Sequence, residues 1–151
     1  MRSFAILAAI AAFAAAPALG QTAQMVAKQS AHDAATTVSR LEAAIAKRGA
    51  KIAAKVDHAA AAKANGMELR PATVLIFGNP KLGTPLMQSS PTAGLDLPMR
   101  ILVWQDAGGA VMVGYWPPAA LAAAHGIKDR VPVLKTMAGA LDAITGEAVA
   151  K

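Results

Sequence analysis

"MRILVWQDAGGAVMVGYW", residues 99–116, decides the fold. Two strand-like runs, 99–105 and 110–116, flank Asp106-Ala107-Gly108-Gly109. A four-residue connection ending in glycine between runs rich in β-branched and aromatic residues is the signature of a β-hairpin. Any sheet that contains it is at least partly antiparallel.

Upstream lies "ATVLIF", residues 72–77, opened by Pro71 and closed by Gly78-Asn79-Pro80-Lys81. A continuous apolar run bounded by turn residues predicts a strand buried on both faces. Thr84-Pro85 then predicts a helix start, with an N-cap hydroxyl followed by proline at the first helical position. Pro91 and Gly94 keep that helix short. Further back, "KIAAKVD" at 51–57 reads as a strand, and the Ala-rich His58–Ala64 as a short helix ended by Asn65-Gly66. Ser30 is the expected N-cap of the first helix, with Asp33 as its capping-box acid. Ala34, Val38, Leu41 and Ile45 mark the apolar face, opposite Arg40, Glu42 and Lys47. Gly49 stops that helix. Gln24–Gln29 supplies a first strand. Downstream, Pro117-Pro118 opens a short helix closed by Gly126. Leu134, Met137, Leu141 and Ile144 recur at helical spacing in a long closing helix over 129–149.

The order β-α-β-(α)-β-α-β-β-α-α argues an α+β fold: a mixed, mainly antiparallel sheet with helices largely on one face. No repeat or linker interrupts it, so residues 21–151 form one compact domain. Residues 1–20 are a different matter. Arg2, an apolar run from Phe4 to Ala16, and Ala18-Leu19-Gly20 form a secretory signal peptide, with Gln21 as the mature start. About 13 apolar residues do not cross a hydrocarbon core of roughly 30 Å. The expected location is therefore periplasmic or secreted, without stable membrane insertion after cleavage.

Cysteine is absent from all 151 residues, which excludes disulfides, thiol chemistry and thiolate metal sites. The formal charge is +6, and +5 without the signal peptide, whose only charged residue is Arg2. Lys47, Arg48, Lys51 and Lys55 form the densest basic group. Aromatics are few and no nucleic-acid motif appears, so the charge serves solubility and nucleic acid is not an expected partner.

Gly78, four residues, Gly83 and Thr84 echo a phosphate-binding P-loop. The lysine before the threonine is missing, and Pro80 has no N–H to offer an anion. What survives is a helix start near Asn79 and Lys81 that suits a carboxylate, sulfate or phosphate, although the same residues also suffice as turn and cap. His32, His58 and His125 lack metal-ligand spacing, and the methionines show no ligand clustering, so no cofactor is expected. There is no GxSxG motif, and Ser89-Ser90 have no local base.

Residues 55–115 resemble the domain of unknown function 302 family. The resemblance rests on Asp57-His58, Ala62, Gly66, Pro71, Phe77-Gly78-Asn79-Pro80, Gly83-Thr84, Leu86-Met87, Leu95-Asp96-Leu97-Pro98 and Tyr115, and extends over about 30–125. It implies a small α+β domain without an established reaction. It also joins distant residues into one package, with His58, Asn79, Thr84, Asp96 and Tyr115, and Lys81 beside them, lining a single pocket for a small polar or anionic ligand. That pocket requires His58 and Asn79 to lie within about 12 Å, the reach of one small ligand. Two other readings stand beside binding. One is an enzyme with His58 as general acid or base and the Thr84 helix end as anion site. The other is a copper-handling protein using His58 with methionines. Assembly as a homo-oligomer is expected through the hairpin's outer strand or an apolar helix face.

Overall fold

A computed structural model describes residues 24–151; the expected signal peptide lies outside the described residues. Five strands, β1 (Val26–Gln29), β2 (Lys51–Asp57), β3 (Ala72–Gly78), β4 (Met99–Gln105) and β5 (Val111–Tyr115), form one sheet in the order β1-β5-β4-β3-β2. Between and after them come α1 (Ala34–Lys47), α2 (His58–Ala64), α3 (Pro80–Ser89), α4 (Pro118–Ala124) and α5 (Val131–Val149), with a 3-10 turn at Pro91–Leu95. The α+β architecture and element order match the sequence reading. The mixed pairing does not: all four neighbouring strand pairs are antiparallel.

The hairpin forms as expected. Leu102 pairs with Gly114, Asp106 Oδ1 accepts from the Ala110 N–H at 2.9 Å, and Gly109 takes the left-handed φ of +86° that closes the turn. Neither of its strands is an edge, because β1 pairs with β5 and β3 pairs with β4. The expected interface on the hairpin's outer strand is therefore already filled by β1.

Asp33, not Ser30, caps α1: its carboxylate accepts from the Thr36 N–H at 2.7 Å. Ser30 stands too far ahead of Ala34 to reach the first turn's donors as a cap. Its buried hydroxyl bonds Thr37 Oγ1 at 2.7 Å and accepts from the His32 N–H instead. Gly49 ends α1 at φ +68°, as expected. Arg40 donates to the carbonyls of Glu147, Ala148 and Ala150, satisfying acceptors at the C-terminal end of α5 and tying the two helices together.

The main core lies between the sheet and these helices. Leu75, Phe77, Ile101, Val103 and Val113 point from alternate strand positions onto Val38, Leu41, Ile45, Leu141 and Ile144. A second cluster, with Leu86, Leu121, Ile127 and Met137, packs α3 and α4 against α5. The expected burial of β3 on both faces fails. Leu75 and Phe77 are buried, whereas Val74 and Ile76 on the opposite face are only half-buried.

Candidate functional site

Helix α3 begins earlier than Thr84. Asn79 is its N-cap, accepting from the Lys81 N–H at 2.9 Å, and Pro80 stands at the first helical position. Asn-Pro supplies the same two start signals as Thr-Pro, five residues sooner, so Thr84 and Pro85 fall inside the helix.

This helix start forms one wall of a cavity of about 500 Å³. Ala50, Lys51 and Ala53 around the start of β2 and Phe77–Gly78 at the end of β3 form a second wall. Leu97–Met99 and the α5 side chains Met137, Ala140, Leu141 and Ile144 complete it. Gly78 allows a close approach: a Cβ there would lie 3.3 Å from Pro98 Cβ, so Pro98 would have to give way. Leu97 reaches over Gly83, with Cδ1 3.7 Å from where a Cβ would stand. The sequence pieces Phe77-Gly78-Asn79-Pro80, Gly83-Thr84 and Leu97-Pro98 thus converge on one wall.

Four polar residues are among those lining this mainly apolar cavity: Arg48, Lys51, Asn79 and Thr84. Arg48 is occupied, pairing with Glu147 at 3.0 Å and donating to the Ala44 carbonyl. Lys47 and Arg48 bonded to Glu147 hold its carboxyl below the usual carboxylate range. The Lys51 ammonium, the Thr84 hydroxyl and Asn79 Nδ2 have no hydrogen-bond partner among the described residues.

Of the six residues expected to form one pocket, Asn79 and Thr84 line this cavity. Lys81 is exposed one residue into α3, outside the lining. His58 is separated from Asn79. Asp57 pairs with Thr73, and Asn79 follows Gly78 at the other end of β3, roughly 20 Å away at about 3.3 Å per residue. The 12 Å condition is not met, so one small ligand does not touch both. Asp57 caps α2 by accepting from the Ala60 N–H at 2.9 Å, and His58 is exposed in its first turn.

Asp96 joins a different cluster. Its carboxylate bonds Arg100 at 3.0 Å and His125 Nε2 at 2.8 Å, while His125 Nδ1 meets Thr92 Oγ1 at 3.0 Å. This ties the 3-10 turn to the end of α4, beside a smaller cavity of about 270 Å³. Tyr115 is buried in the main core, where burial and then the Asp142 charge push its hydroxyl above the usual phenol value. The sequence reading missed Lys51 and the apolar wall from α5. Among the described residues, no group of three or more His, Asp or Glu side chains is placed to hold a metal. Met87, Met99 and Met137 line the cavity, but no histidine does.

The model of the family described as "Domain of unknown function DUF302" matches residues 26–144. The chain belongs to the DUF302 family. An uncharacterized conserved DUF302 protein from Bacillus stearothermophilus has the same fold, with a TM-score of 0.75 over 82% of this chain and 97% of that one. At 17% identity that likeness speaks for the fold alone. The chain is also 43% identical over 103 residues to "Fluoride-specific ion channel FluC 1" of Brucella suis biovar 1 (strain 1330). It matches the FluC 1 of Brucella abortus biovar 1 (strain 9-941) at the same identity. Those 103 residues are 68% of this chain but 41% and 38% of the two relatives, so this DUF302 chain spans about two fifths of their length.

Proposed function

We propose that this DUF302 chain is a ligand-binding domain and that the cavity beside Asn79 takes a small anion with an apolar body. The observation that carries this reading is one mainly apolar cavity of about 500 Å³ whose lining residues include Lys51, Asn79 and Thr84, each with a polar group unpartnered among the described residues. A volume of this size falls in the usual range for small-molecule sites. Binding energy comes from the apolar walls, at about 0.8 kcal/mol for each methylene removed from water. The anionic group stays with Lys51 and the free donors, because a charge carried into the apolar part would be desolvated without compensation.

The expected small polar or anionic ligand is thereby narrowed: a purely polar molecule would gain nothing from Met137, Leu141 and Ile144. An enzyme working through His58 would use a residue a full strand length from this cavity. Binding without catalysis is the reading adopted. Export rests on the signal-like residues 1–20, and N-terminal sequencing of protein recovered from the cell envelope should begin at Gln21.

The test is calorimetry with octanoate, decanoate, decanol and fluoride. Decanoate should bind about 15-fold tighter than octanoate, from two methylenes and about 1.6 kcal/mol. Lys51→Ala should weaken decanoate several-fold and leave decanol unchanged. Ala140→Phe, which fills the cavity, should abolish both. Equal affinity for the two acids, or no binding of either, refutes the reading. The name of the Brucella relatives favours a second reading, in which fluoride itself is the ligand. A small, strongly hydrated ion gains little from apolar walls. Fluoride binding in the absence of decanoate binding would replace the first reading with this one.

A further inference from the structure

We propose that the uncovered face of the sheet is an interface between two copies of this chain, stacked sheet on sheet about a two-fold axis. This face is opposite α1 and α5, and the inference does not depend on the ligand.

The register defines the surface. Val56, Val74, Leu102, Gly114 and Ala27 form a row across all five strands. Ala54 and Ile76 flank it on one side, and Trp104 and Met112 on the other. Nine apolar positions in adjoining rows are unusual for a face left to water, since antiparallel sheets normally alternate apolar-in with polar-out. In these rows the charged side chain is Arg100, which is already paired with Asp96 at 3.0 Å. Helix α2 touches β3 but buries none of its own residues, and α1 and α5 pack on the opposite side. Val56 remains 38% exposed.

A Cβ on Gly114 would lie 2.9 Å from Trp104 Cζ3, so the indole lies down across the glycine instead of standing off the sheet. A face whose one charge is already paired offers no free ion to an acidic partner. It does fit a surface of equal twist, and a second copy provides that surface. Two sheets with the same twist pack with their strands about 30° apart. Two-fold pairing buries the same patch on both copies.

Five strands about 4.8 Å apart and about 18 Å long give roughly 430 Å² a side, or close to 900 Å² for the pair. Specific interfaces begin near 1,000 Å². The dimer is accordingly a reversible one, forming in the micromolar range.

Sedimentation equilibrium of the purified protein from micromolar to submillimolar concentration tests this. The mass should climb from one chain to two. Leu102→Lys should hold it at one chain throughout, with an unchanged far-UV spectrum, because the dimer would bury an unpaired ammonium. Should that variant fail to fold, cross-linking decides. The chain has no cysteine, so Leu102→Cys introduces a unique thiol at the centre of the face. A short bismaleimide should link it into dimers, while Lys135→Cys on the exposed side of α5 should stay single. A wild-type chain that is monomeric at every concentration overturns the proposal, as does a dimer that survives Leu102→Lys. Cross-linking through position 135 and not 102 overturns it too. So does a monomer that floats with anionic vesicles, which would make this a membrane face.

Discussion

Neighbouring residues on β3 should respond very differently to the same truncation. Leu75 and Ile76 each lose three carbon atoms on substitution by alanine, and both lie on an internal strand. Leu75 is fully buried beneath α1 and α5, whereas Ile76 is half-buried on the uncovered face. Three groups at about 0.8 kcal/mol each give about 2.4 kcal/mol of lost transfer energy for Leu75. The void left in a packed core raises the loss to about 3–4 kcal/mol. For Ile76 roughly half the transfer energy is at stake and water fills the gap, so the expected loss is about 1 kcal/mol. Urea unfolding at low protein concentration reads both losses as midpoint shifts at constant slope. Repeating the measurement at high concentration should enlarge the Ile76→Ala loss and leave that of Leu75→Ala unchanged, because only Ile76 contributes to the dimer. Equal losses at low concentration would refute the one-sided sheet. A Leu75→Ala loss below about 1.5 kcal/mol would refute the packing of the core.

Acid should destabilise the fold. Hydrogen bonds from Thr36 to Asp33, from Ser89 to Asp129, and from Lys47 and Arg48 to Glu147 lower all three carboxyl pKa values below their ordinary 3.8, 3.8 and 4.5. Their contribution is complete above those ordinary values and disappears as pH falls through the lower folded-state values. Melting temperature should therefore drop from pH 5 to pH 3, and Glu147→Gln should flatten that drop; a pH-independent melting temperature contradicts the assignment. Tyr115 is the chain's single tyrosine, so ultraviolet titration reports it alone. Its phenol should ionise above the ordinary 10.0, and the stability it lends should persist below pH 10 and fade above; ionisation at or below 10.0 in folded protein would place it outside the core. Gly78→Val should displace Pro98 and weaken decanoate binding more than it lowers stability, which calorimetry and urea unfolding separate.

Much of the fold was legible because local signals agreed with tertiary packing. The hairpin turn, the apolar face of α1 and the glycine after it, and the limits of β2 and α2 all follow from side-chain period and backbone preference. Caps were harder, since Ser30 and Asp33, or Asn79 and Thr84, are each chemically competent. Which one caps depends on where the helix axis meets the sheet. The expected meeting of His58 with Asn79 turned on one missing fact, the direction of β2 relative to β3. Their 14-residue link, 58–71, is long enough for either a parallel crossover or an elaborated hairpin. A parallel crossover would have aligned Asp57-His58 with Gly78-Asn79 at one end of the sheet. The antiparallel pairing observed sends them to opposite ends and brings Lys51 to Gly78 instead. The same choice of direction decides which basic residue serves the cavity and which histidine does not. The continuous apolar run of β3 carried a further message that one chain does not satisfy. Its composition asks for cover on two faces, α1 and α5 supply one, and the second is what a partner copy would provide.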